Sequence, residues 1–295
     1  LPITHLDLAD TKVSDLSPLQ GMPLASLNVR LTAVTDLSSV EGLPLTDLDI
    51  SETNVRDLSA LQGMPLKKLS LFDATDISDL SPLQAAPIEE LNMNGLKGVS
   101  DLSTLRGMKN LKSLFMDRTG VSDLTPIENL PIELLAVRGC PLLDLNAIKH
   151  MPLKQLFIPV RWFRPDEHQF LRSLPLETLN GSFFAGGMPV KEFWEQFDAQ
   201  LQAAIEFAEA TAKLPVEQQS DLVLAKLQEL NENQEIKLET QITNNAVSTV
   251  KVTLLKSNEN LTPLRAFGQM KELQIVGGRT SLDLSPIDIA PIKML

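Results

Sequence analysis

Seven aspartates recur at one spacing in the first half of this 295-residue chain: Asp15, Asp36, Asp57, Asp79, Asp101, Asp123 and Asp144. Two chemistries are open to such a column. It can hold cations, or each carboxylate can accept backbone N–H groups near a helix start, where negative charge is favoured. Stacked ~5 Å apart, ionised neighbours would repel by about 0.8 kcal/mol in water and about 3 kcal/mol at an effective dielectric of 20. Ser and Thr flank these positions rather than further carboxylates, which favours the backbone role. No EF-hand loop or nonapeptide calcium repeat is present.

The other reactive residue types are sparse. His5, His150 and His168 are the only histidines, and each falls at a different place in the local pattern. They form no metal-ligand spacing and no catalytic triad. Cys140 is the single cysteine, so no internal disulfide forms. It stands where neighbouring segments carry Thr, which reads as a structural slot rather than a nucleophile. The expectation is a chain that is not an enzyme and takes no cofactor.

The element that positions these residues is a repeat. The phrase Val13-Ser14-Asp15-Leu16-Ser17-Pro18-Leu19 returns at Val34, Val55, Ile77, Val99 and Val121. Self-similarity at this period is the signature of a leucine-rich-repeat solenoid. Phrases such as Leu45-x-x-Leu48-x-Ile50 and Leu66-x-x-Leu69-x-Leu71 alternate as half-buried strands do. Thr11, Thr32, Thr53, Thr119 and Cys140 mark a bend bonded to backbone. Ser17, Ser38, Ser59, Ser81, Ser103, Thr125 and Asn146 read as N-caps, with Pro18, Pro82 and Pro126 suited to the first helical residue. Gly21, Gly42, Gly63, Gly107 and Asn129 follow, where a left-handed C-cap is wanted. Cap to cap leaves one short turn. The predicted fold class is α/β, with a parallel sheet on the concave face and 3₁₀ turns on the convex face.

Three regions are expected. Residues 1–184 form a solenoid of about 8–9 repeats of 21–23 residues. Residues 185–213 form a capping or linking helix, with Val190, Phe193, Phe197, Leu201, Ile205, Ala208 and Ala212 in one apolar stripe. Residues 214–295 form a helix plus β cap and the first repeats of a second array, signalled by Asp283-Leu284-Ser285-Pro286-Ile287. Leu1 opens in mid-repeat and Leu295 falls inside a strand phrase, so the chain is expected to be a fragment or processed product. An open repeat end predicts self-association or a continuation.

The net charge of −12 comes without a Lys/Arg cluster, which argues against nucleic acid and anionic membrane as partners. No apolar run approaches the ~20 residues needed to span a bilayer, so no membrane insertion is expected within the chain.

The repeat Pro-Leu-x-x-Leu-x-Val/Ile-x-x-Thr-x-Val-x-Asp-Leu-Ser-x-Leu-x-Gly-Met resembles the internalin-like class of bacterial leucine-rich repeats, with Thr where that class has Asn at the bend. It is also similar to bacterial repeat proteins found in one polypeptide with a serine/threonine protein kinase. That likeness rests on residues 15–24, on 176–181 with 189–195, and on 224–231. The chain has no kinase Gly-rich loop, lysine strand or Asp-Phe-Gly, so any kinase lies outside it.

These readings converge on a non-catalytic module that recognises a protein partner on its concave face. The strand residues expected there include Asp47, Asp49, Lys68, Glu90, Phe115 and Phe157, with Phe72 just past its strand. Exposed aromatics on a sheet face are candidate hot spots. The alternative is a structural scaffold that associates through its repeat ends.

Overall fold

The computed structural model describes residues 2–84, 86–158, 165–180, 188–230, 236–243, 246–253, 272–276 and 293–294. Two compact units are present: residues 1–160 with 173–190, and residues 161–172 with 191–295.

The first unit is a leucine-rich-repeat solenoid. Its strands are β1 (His5–Asp7), β2 (Ser26–Asn28), β3 (Asp47–Asp49), β4 (Lys68–Ser70), β5 (Glu90–Asn92), β6 (Ser113–Phe115), β7 (Leu134–Ala136), β8 (Gln155–Phe157) and β9 (Thr178–Asn180). They pair in sequence order and in parallel. Successive partners, from His5 against Ser26 to Gln155 against Thr178, lie 21, 21, 21, 22, 23, 21, 21 and 23 residues apart. A two-residue strand, β10 (Met188–Pro189), pairs antiparallel with β9 and ends the parallel ladder. The core is a set of stacked columns. Leu48, Leu69, Leu91, Leu114, Leu135 and Leu156 form the central one, each at most 3% exposed. Burial of one such side chain is worth about 2 kcal/mol.

The opposite edge is made of 3₁₀ turns such as Ser17–Leu19, Ser59–Leu61 and Thr125–Ile127. The capping chemistry differs from expectation. Ser17 is the first helical residue, and no side chain caps the turn from the position before it. Asp15 does the capping, accepting the Ser17 N–H and the Ser17 hydroxyl, both at 2.8 Å. The serine is a donor because a carboxylate two residues earlier is the stronger acceptor. Gly21, Gly42 and Gly63 are left-handed as expected, at φ 75°, 74° and 74°. Gly107 and Asn129 are not. In the first case the turn runs on through Ser103–Gly107; in the second, Glu128 stays right-handed at φ −55° and ψ −28°.

A second left-handed position lies at the bend after each strand from β1 to β7. It holds Asp10, Leu31, Glu52, Asp73 and Arg118 at φ 50° to 59°, and glycine only at Gly95 and Gly139. Five side-chain-bearing residues in this region are costly. The backbone offsets the cost, because each N–H continues the ladder to the next repeat: Asp10 to Arg30 O at 2.8 Å, Leu31 to Ser51 O at 3.0 Å, Arg118 to Arg138 O at 2.7 Å. The following Thr closes the bend, with the Thr32, Thr53 and Thr119 hydroxyls donating to the carbonyls of Val29, Ile50 and Met116.

The second unit contains α1 (Pro165–Ser173), α2 (Val190–Ala212), α3 (Val216–Leu230), β11 (Lys237–Thr243), β12 (Ala246–Thr253), β13 (Glu272–Val276) and β14 (Lys293–Met294). Arg172 pairs with Asp198 at 2.5 Å and stacks on Trp194 at 4.1 Å. Phe197 of the expected stripe and the adjoining Trp194 are buried, whereas Ile205 of the stripe is 38% exposed. Strands β11 and β12 form an antiparallel hairpin, and β12, β13 and β14 pair in parallel. The phrases at 260–264 and 283–287, and Trp162 and Phe163, lie outside the described residues.

Candidate functional site

Each strand from β2 to β8 buries its middle residue and turns the two flanking ones onto the open face of the sheet. Parallel register then lines up equivalent positions from strand to strand. One row reads Ser26, Asp47, Lys68, Glu90, Ser113, Leu134, Gln155. The next reads Asn28, Asp49, Ser70, Asn92, Phe115, Ala136, Phe157. The open face is therefore two surfaces in series: hydrophilic over β2–β5, and largely apolar over β6–β8.

The hydrophilic part is a groove of about 310 Å³. The structure brings Asp47, Asp49, Lys68 and Glu90 together in its lining, beside the short side chains of Ser26, Asn28, Ser70 and Asn92. Lys68 and Glu90 approach each other at 3.9 Å. Asp47 accepts the Thr46 hydroxyl at 2.6 Å, and Asp49 accepts the Ser51 N–H at 2.9 Å. Neither aspartate has an ion-pair partner among the described residues. Phe72 is half-buried, two residues past the end of β4, and is not part of the groove lining.

The apolar part centres on β7. Phe115, Ala136 and Phe157 are in direct register, so the two half-buried phenylalanines stand about 10 Å apart, two strand spacings, across a small residue. Ala136 itself is 1% exposed. Leu134 adds a second apolar side chain on the same strand.

Behind Phe157 lies a polar chain that sequence reasoning missed. The Asn94 side-chain oxygen accepts the Asp117 N–H at 2.6 Å. Asp117 accepts the Arg138 N–H at 2.6 Å and its Nε–H at 2.8 Å, and pairs with Nη2 at 2.6 Å. These two side chains are 5% and 17% exposed, and the Arg138 guanidinium lies 5.4 Å from the Phe157 ring centre. A signal was present: Asp117 and Arg138 are opposite charges at one repeat position, 21 residues apart. Asp73 and Arg118, 45 residues apart, also meet at 3.4 Å. That bridge skips one repeat, and Gly95 makes room for it: a Cβ there would lie 1.8 Å from Asp73 Oδ1.

A further row flanks the face. Lys67, Glu89, Lys112, Glu133, Lys154 and Glu177 alternate in sign one residue before each strand from β4 to β9. Lys67 meets Glu89 at 3.8 Å and Lys154 meets Glu133 at 2.5 Å. Lys154 holds the Glu133 carboxyl below its usual range, and Glu133 raises Lys154 in turn. Exposed pairs of this kind add little stability each. They do oppose wrong registers, since a one-repeat slip at a single pair sets like charges face to face.

The aspartate column serves backbone. Asp15, Asp36, Asp57, Asp79, Asp101, Asp123 and Asp144 each accept the N–H two residues on, at 2.8 Å. Those bonds hold Asp15, Asp36, Asp79 and Asp123 below the ordinary carboxylate range, with the hydroxyl bond second; at Asp101 the hydroxyl bond leads. Cys140 is buried; its Sγ donates to Met116 O at 3.0 Å and lies 3.3 Å from Thr119 Oγ1. Burial pushes its thiol pKa up, away from thiolate reactivity.

The chain is similar to internalins of Listeria monocytogenes. Internalin C2 is 23% identical with a TM-score of 0.41, over 50% of this chain and 77% of that one. An internalin (inlF) is 25% identical with a TM-score of 0.44, over 99% of this chain and 66% of that one. No protein-family model and no curated protein matches the chain. The fold assignment rests on the strand register and core columns described above. Among the described residues, no helix is long and apolar enough to cross a membrane, and no three His, Cys, Asp or Glu side chains group to hold a metal ion.

Proposed function

We propose that this chain is a non-catalytic recognition module that binds a protein partner on the concave, open face of its sheet. One observation carries the reading: Phe115 and Phe157 stay half-exposed on that face while every central Leu from β2 to β9 is buried. Large apolar side chains held in register without core burial are the ordinary make-up of a binding hot spot. The residues assigned to the contact are Phe115 and Phe157, then Asp47, Asp49, Lys68 and Glu90, with Phe72 just past its strand.

Two finer readings accompany it. The likeness at residues 15–24, 176–181 with 189–195, and 224–231 supports the repeat region of a larger, kinase-linked polypeptide. The parallel register of β12, β13 and β14, at steps of 23 and 21 residues, supports a second repeat array within 214–295, with 185–213 as link and cap.

The test is affinity capture from native lysate with the chain and its Phe115→Ala/Phe157→Ala variant, with thermal melting of both. The expected result is a protein held by the first, lost by the second, at unchanged cooperative melting. Equal capture by both, or recovery of the chain alone, transfers the weight to an assembly scaffold joined through repeat ends. Loss of cooperative melting in the variant places the rings in the core and removes the reading.

A further inference from the structure

We infer that the partner segment is an extended peptide crossing the strands, with a Lys or Arg four to six residues from a bulky apolar side chain. The inference rests on the concave-face reading above and names the chemistry that face accepts.

The apolar end is the anchor. Phe115 and Phe157 flank Ala136, with Leu134 beside it on the same strand. With their backbones about 10 Å apart and only Ala136 in register between them, the two phenylalanines leave room for one aliphatic or aromatic side chain. The Arg138 guanidinium, fixed by Asp117, already occupies the neighbourhood of the Phe157 ring at 5.4 Å.

The hydrophilic end selects by charge. Lys68 and Glu90 offset each other at 3.9 Å, which leaves Asp47 and Asp49 as the uncompensated charges of the groove. Their own hydrogen bonds come from Thr46 and Ser51 and bring no positive charge. Arg30 is close enough to feel Asp49, but its guanidinium is held by Glu52 at 2.7 Å. The short Ser and Asn side chains around the pair leave depth for a long cationic stem, and complementary charge sets register and on-rate.

The spacing follows from the sheet. From β3, which carries the aspartates, to β6–β7 is three to four strand steps, about 14–19 Å. An extended peptide covers about 3.4 Å per residue, which gives four to six residues between cation and anchor.

Random twelve-residue peptides displayed on phage, selected on the full chain and counter-selected on Phe115→Ala/Phe157→Ala, test this. Enriched sequences are expected to carry Lys or Arg four to six positions from Leu, Ile, Met, Phe or Trp. Their synthetic peptides are expected to lose roughly tenfold or more in affinity on Asp47→Asn/Asp49→Asn, and to weaken with added salt. Peptides that depend on the phenylalanines but bind the aspartate variant equally overturn the basic-peptide assignment and leave the concave-face reading standing. A selection that yields no peptide preferring the native chain to the phenylalanine variant overturns both.

Discussion

The stretch β2–β5 and the stretch β6–β8 share one backbone plan and present opposite surfaces. Both bury the central Leu of every strand, and both close their described bends, after β2 to β7, with a left-handed residue. On the open face the first carries Asp47, Asp49, Lys68, Glu90 and short polar side chains, the second Phe115, Leu134, Ala136 and Phe157. Their support differs as well. In the first stretch Arg30 and Glu52 pair near solvent, with side chains 48% and 28% exposed; in the second, Asp117 and Arg138 pair at 5% and 17%. The lesson is that a solenoid constrains its inner columns and leaves its open face free. Folding energy comes from the stacked Leu columns, so the face residues vary strand by strand without altering the register.

The largest expected effect that tests this contrast is at the buried pair. Asp117→Ala removes the carboxylate holding Arg138, and the cost is expected to be about 2–4 kcal/mol in urea unfolding. Hydrogen exchange should quicken over β6–β8 and change little over β2–β5. Uniform quickening would show that the two stretches are one cooperative block.

Next come the left-handed bends, where the two stretches carry different residues. Gly95→Ala puts a side chain at φ 84° and drives Asp73 off its bridge to Arg118, so a loss of about 1–2 kcal/mol is expected. In the first stretch Leu31 sits at φ 55° and is 42% exposed. Leu31→Gly relieves that backbone without uncovering a core, for an expected gain of about 1 kcal/mol. Destabilisation by Leu31→Gly would mean that its side chain contributes more than its strain costs.

The smallest effect is shared by both stretches and is read against pH. Asp15, Asp36, Asp79, Asp101 and Asp123 titrate below their unfolded value because of the N–H and hydroxyl bonds they accept. A depressed carboxylate contributes stability above the unfolded value near 3.9 and loses it as pH falls through the lower folded one. Melting temperature should hold down to about pH 4 and fall below it. Asp79→Asn keeps an acceptor that does not titrate, and its acid limb should be slightly shallower. An unchanged limb would show that this carboxylate is not among those whose protonation unfolds the chain.

Much of the architecture was readable from local chemistry. Leu48 and Ile50 alternate with Asp47 and Asp49 in a short phrase, which suffices to assign a strand and its faces. Pro18 after Ser17 marks a turn start. The N-cap role expected of Ser17 falls to Asp15, because two readings of one turn compete and the carboxylate, two residues earlier, is the stronger acceptor. The left-handed places of Asp10, Leu31, Glu52, Asp73 and Arg118 carry no residue-type signal, since glycine fills that slot only twice.

The sequence alone determined the repeat period, the inward columns, and which residues share a repeat position. These follow from rules that act within one repeat: alternation along a strand, turn chemistry and capping. Only the tertiary structure decided which positions of different repeats meet. The steps of 21 to 23 residues place Phe157 two strands from Phe115, seat Asp117 on Arg138, and let Asp73 reach Arg118 over a glycine. Contacts between repeats depend on the stacking distance and on side-chain reach, and neither is written in any single repeat.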